Sequence, residues 1–120
     1  MKMLVALHWE DLAKFYASGF PQYEVHICHD GATALSLLDS IKPDIFIAGP
    51  SFVDMDILTL LQHCNHKPRA IIVFTNVTAD LALLQDMRLA GVHRIIPIPC
   101  TLYHVKEQIN ELLNKSPSPA

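Results

Sequence analysis

Residues 43–64 read PDIFIAGPSFVDMDILTLLQHC, and they decide the fold. The stretch begins with a continuous apolar run, Ile45 to Ala48, which has the character of a strand covered on both faces. It ends with Ile57, Leu60, Leu61 and Cys64 at helical spacing, and Asp56 stands where it can cap that helix. Between the two, Gly49 and Pro50 take the chain out of the sheet. The unit is a buried strand, a short exit and an amphipathic helix.

The same unit recurs on both sides. Upstream, residues 3–7 form a short apolar strand. Residues 9–20 follow with helical spacing that places Leu12, Phe15, Tyr16 and Gly19 near one face. Residues 23–28 read as a strand, Asp30–Gly31 as a turn, and Ala34, Leu35 and Leu38 set a helix after it. Downstream, residues 70–74 are the most β-like run of the chain. Thr78 can cap the next helix, which stops at Gly91. Residues 94–98 make a last strand weakened by Pro97. Thr101 can cap a final helix with Leu102, Val105, Ile109 and Leu112 inward. Strand and helix alternate five times, and the strands are apolar throughout rather than at alternate positions. That pattern predicts an α/β, doubly wound (βα)5 three-layer sandwich around a parallel five-stranded sheet. Residues 1–115 make one domain, and residues 116–120 are a linker-like tail that fits a tether to an output domain beyond it.

Composition narrows the function classes. Half of the 120 residues are apolar (51%), enough for one buried core. The net charge of −3, with no basic patch, gives no support for direct nucleic-acid binding. No apolar run approaches the roughly 20 residues that span a bilayer, so no membrane association is expected. The start, MKMLVALHWED, is a poor signal peptide. Cys28, Cys64 and Cys100 are odd in number and sit in apolar runs, as reduced thiols of a cytoplasmic protein do.

From Lys2 to about Leu113 the chain resembles a receiver domain of bacterial response regulators. DGATALSLL followed by KPDIFIAG is similar to that family's second helix and third strand. IIVFT resembles its fourth strand with the terminal hydroxyl residue, and AGVHRIIPIP resembles its closing segment. The resemblance implies strand order 2-1-3-4-5 and a site at the carboxyl ends of the strands. In the family, two acids after strand one hold Mg²⁺ and an aspartate after strand three accepts a phosphoryl group. A Thr or Ser after strand four and a Lys after strand five bind the phosphoryl oxygens. Carried over residue by residue, the acids fall on Leu7 and His8, the phosphoacceptor on Gly49 and the lysine on Ile98. Thr75 matches the hydroxyl position. The aromatic switch position falls on Ile95. Because Pro99 stands after the lost lysine, the resemblance also implies a cis bond between Ile98 and Pro99.

Glu10 and Asp11 are the rival acid pair, but ending the first strand at Glu10 leaves too few residues for a crossing helix. They fit the first helical turn instead, where the helix dipole favours acids. Three functions remain in view. The first is a pseudo-receiver, a phosphorylation-independent protein–protein interaction module that is not an enzyme and needs no cofactor. The second is a phosphorelay receiver with a displaced acceptor at Asp54 or Asp56. The third is a small-ligand sensor using the pocket above Gly49 and Thr75. In receivers, helix four, strand five and helix five form the usual dimer or partner face. Here Leu81 and Leu89 on helix four exceed what one inward stripe needs, which suits a protein partner or homodimer there, beside Ile95.

Seven histidines raise the question of metal. His26, Cys28 and His29 form one cluster, and His63, Cys64 and His66 another. The predicted topology puts the clusters at opposite ends of the sheet, too far apart for one tetrahedral zinc site. A helix-end role for His63 and His66 is the simpler account, and no metal site is assigned.

Overall fold

The computed structural model describes residues 1–49, 51–75, 81–98 and 100–114. In chain order the elements are β1 (Lys2–Ala6), α1 (Glu10–Ser18), β2 (Glu24–Cys28), α2 (Gly31–Ser40) and β3 (Ile45–Ala48). They continue with α3 (Ile57–His63), β4 (Ala70–Thr75), α4 (Leu81–Leu89), β5 (Arg94–Pro97) and α5 (Leu102–Asn114). All strand pairs are parallel, and the sheet order is β2-β1-β3-β4-β5. The expected fold is the observed one.

Side chains that alternate along each strand divide the core in two. Leu4, Phe46, Ile71 and Val73 face α2, α3 and α4, where Leu38, Leu60 and Met87 meet them. Met3, Val5, Ile47, Ile72 and Phe74 face the other way, against Tyr16 of α1 and Val105 and Ile109 of α5. Each fully buried Leu or Ile here contributes about 1.5–3 kcal/mol relative to exposure. Both faces of every central strand are therefore covered, which is why the strands are uniformly apolar.

Local structure corrects the sequence pattern in three places. Phe15 is exposed; the inward face of α1 is Ala13 and Tyr16, with Leu12 and Ala17 beside them. Asp30 and Gly31 are not a turn but the start of α2. The Asp30 carboxylate accepts the Thr33 N–H at 2.7 Å as an N-cap, and Gly31 is the first helical residue. The last strand ends at Pro97, one residue short of Ile98. The caps expected at Asp56 and Thr101 are present: Asp56 accepts from Thr59 N–H at 2.8 Å and Thr101 Oγ1 from His104 N–H at 3.1 Å. Gly91 takes φ of +107°, and its N–H and that of Val92 close the end of α4 on Arg88 and Met87. The Thr78 cap, the peptide before Pro99 and the tail from residue 116 lie outside the described residues.

Candidate functional site at the carboxyl edge of the sheet

The strands β1, β3, β4 and β5 end together, and the residues just past them meet. Leu7 follows β1 and is buried; its N–H donates to Cys28 O at 3.2 Å. The His29 ring donates from Nδ1 to Leu7 O at 3.0 Å, so a residue after β2 pins the exit of β1. His8 is exposed and makes an edge contact with Trp9, ring centroids 5.7 Å apart. Gly49 follows β3, and its N–H donates to Ala6 O at 3.1 Å. Thr75, the last residue of β4, is buried, and its carbonyl accepts from Ile98 N–H at 2.9 Å. Leu7, Gly49, Thr75 and Ile98 are thus brought to one edge, as the strand ends required.

Above them lies a cavity of about 250 Å³ lined by Leu7, His8, Trp9, Gly49, Ser51, Phe52, Val53 and Ile98. Among the described residues this lining contains no carboxylate and no lysine or arginine. Glu10 and Asp11 are in the first turn of α1, where Glu10 pairs with Lys14 at 2.9 Å. That hydrogen bond and charge hold the Glu10 carboxyl below its ordinary value.

The two aspartates of the loop after β3 are both engaged. Residues 51–56 form a closed loop: Ser51 and Asp56 make an isolated antiparallel bridge, and Phe52 N–H donates to Met55 O at 2.7 Å. From this loop Asp54 reaches across to α2. Its Oδ1 accepts from Gly31 N–H at 2.8 Å and its Oδ2 from Ala32 N–H at 2.9 Å. The two backbone bonds lower its pKa. A side chain on Gly31 would run into Met55, so the glycine lets the loop close on the helix. Asp56 is held as the α3 cap, and its bond to the Thr59 amide likewise lowers its pKa. Sequence spacing identified the Asp56 cap. It missed Asp54, whose partners lie 23 and 22 residues away and carry no local signal.

The histidine clusters stay apart. His26 pairs with Glu24 at 2.9 Å on the sheet edge. His63 donates to Thr59 O at 2.8 Å and His66 to Pro43 O at 2.9 Å, at the opposite end of the sheet from His29. Among the described residues no three His, Cys, Asp or Glu side chains gather as a metal site. Burial, with Asp30 nearby, pushes the Cys28 thiol up to about 12, and burial raises Cys64 as well. Leu81 and Leu89 of α4 are 79% and 86% exposed, and Tyr103 of α5 is exposed too. Ile95 of β5 is only partly exposed and packs on the core.

No family model matches the sequence, and no curated protein matches it. Solved structures do. A response regulator receiver domain protein (CheY-like) from Methanospirillum hungatei superposes with TM-score 0.86 at 20% identity, covering 95% of this chain and 94% of that one. A response regulator signal receiver domain from Bermanella marisrubri gives 0.82 at 22%, covering 94% and 98%. The signal receiver domain of an HD domain-containing protein from Pseudomonas fluorescens gives 0.80 at 23%, covering 93% of each chain. At these identities the likeness is one of fold: the chain has the receiver-domain fold of response regulators. Among the described residues, no helix is long and apolar enough to cross a membrane.

Proposed function

We propose that this chain is a receiver-fold interaction module of cytoplasmic signalling that works without aspartyl phosphorylation. Gly49 carries the proposal. It stands one residue past β3, where the receiver resemblance puts the phosphoacceptor, and it offers no nucleophile. Leu7 and Ile98 stand where a metal-binding acid and the phosphate-binding lysine would be, and neither can hold Mg²⁺ or a phosphoryl oxygen. The displaced acceptor is opposed by geometry. Asp54 gives both oxygens to the α2 amides, and phosphorylation there would take up one oxygen and remove the carboxylate charge that strengthens both hydrogen bonds. Asp56 would lose its cap. Without a charge change at this edge, nothing biases a two-state element, and the signal passes through binding.

The binding face in this proposal is α4, β5 and α5, taking a protein partner or a second copy. Leu81 and Leu89 support it, since core packing does not account for either. Incubation with acetyl phosphate and Mg²⁺, followed by intact-mass measurement, should give no phosphoryl adduct. An adduct that disappears in Asp54→Asn or Asp56→Asn overturns the proposal. Changing Leu81 and Leu89 together to Glu should leave the fold intact, because exposed substitutions cost under about 0.5 kcal/mol each. It should weaken self-association or partner capture by placing charge in an apolar contact.

A further inference from the structure

We infer that the carboxyl-edge cavity is a binding site for a small, neutral, planar ring compound of about the size of indole. Three observations carry this beyond the interaction face. The first is chemical. Leu7, Phe52, Val53, Ile98 and Trp9 give the cavity its apolar lining, and Gly49 adds no side chain to it. Among the described lining residues, His8, Ser51 and the Trp9 indole N–H are the polar side-chain groups, enough to orient one hydrogen-bonding edge. With no carboxylate, lysine or arginine among the described lining residues, a charged ligand would lose hydration without a permanently charged partner.

The second observation is a broken local rule. Trp9 is the sole tryptophan and occupies the N-cap of α1 with φ −90° and ψ 117°, yet makes no side-chain cap bond. Ser, Thr, Asp or Asn is favoured there. The indole is 55% exposed and stands on the cavity wall. In the same lining, Val53 is 78% exposed on a loop whose ends are bridged and whose Asp54 is tied to α2. Two exposed apolar side chains thus line one opening, and the loop that carries Val53 is held by its bridge and by the Asp54 bonds, which suits a preformed ligand pocket.

The third is size. About 250 Å³ lies between a cavity of about 150 Å³ that takes benzene and the roughly 300–1,000 Å³ of drug-sized sites. One ring or two fused rings fit. Gly49 contributes to this room. A Cβ there would meet Leu7 Cδ2 at 3.5 Å, an ordinary contact, so packing does not demand a glycine.

The test is a ¹H–¹⁵N NMR titration of the whole chain with indole, and separately with indole-3-carboxylate, which bears the same ring and a charge. Indole should shift Leu7, His8, Gly49, Ser51 and the Trp9 side-chain N–H saturably, with half-saturation at about 1 mM or below. The carboxylate should bind at least about tenfold more weakly. Val53→Asp, on an exposed position, should keep the parent spectrum elsewhere and lose indole binding by a similar factor. Absence of a saturable shift up to about 10 mM overturns the inference. So does unchanged binding in Val53→Asp, or shifts confined to α4 and α5.

Discussion

Two kinds of strand-to-helix junction stand side by side at the carboxyl edge. At α2, α3 and α5 the chain spends polar side chains on the helix amides: Asp30 and Asp54 on α2, Asp56 on α3, Thr101 on α5. At α1 it places Trp9 at the cap position, and that side chain makes no cap hydrogen bond. All these junctions must solve the same problem of unsatisfied N–H groups. Where they are solved, the aspartates are consumed by the fold. Where the cap is left off, an aromatic ring faces a cavity. The difference separates residues that hold the domain together from residues available for binding.

That contrast is open to direct attack. The largest effect should come from Asp54→Ala, which strips two amide partners from α2 and releases the 51–56 loop. Its melting temperature should fall further than that of any single-cap variant in a thermal melt. The acid limb of stability belongs to the same residue. Its pKa is lower in the folded chain than the ordinary 3.8, so its contribution is complete above that value and drains away as pH falls through the folded pKa. The parent should lose stability over that acid range, and Asp54→Ala should lose less of it. Equal acid loss in both proteins would mean that the bonds to Gly31 and Ala32 contribute little.

Asp56→Ala should cost about 1 kcal/mol, the usual worth of an N-cap, or a few degrees of melting temperature. At α1 the sign should reverse. Trp9→Ser supplies the missing cap at a backbone conformation that accepts it, and should raise stability by about 0.5 kcal/mol or more while weakening indole binding. A destabilised Trp9→Ser would make the indole a structural anchor and erase the contrast. The smallest shift is expected from Gly49→Ala. Gly49 lies outside the left-handed region, so alanine should be neutral or stabilise by no more than about 0.4 kcal/mol through the unfolded chain. Chemical denaturation with an unchanged m-value is the measurement. A loss above about 1 kcal/mol would show that the glycine is required by packing.

The order of elements, the parallel sheet and the character of its edge residues were legible in the chain. Buried parallel strands and amphipathic helices write their burial into short-range pattern, and a cap such as Asp56 or Thr101 lies three residues from its partner. Leu7, Gly49, Thr75 and Ile98 could be placed at one edge because each ends or follows a strand, and parallel strands end together. Tertiary structure alone decided the rest. The inward face of α1 was misjudged at Phe15, since helical spacing gives a stripe but not its exact rotation onto the sheet. Asp54 found its partners on α2, and His29 found the carbonyl of Leu7, through contacts that leave no local trace. The gathering of Trp9, Val53 and Ile98 around one opening likewise depends on three separate loops arriving at one place. Sequence fixes periodicity over a few residues, whereas a pocket is made by chain segments that meet only when the sheet has assembled.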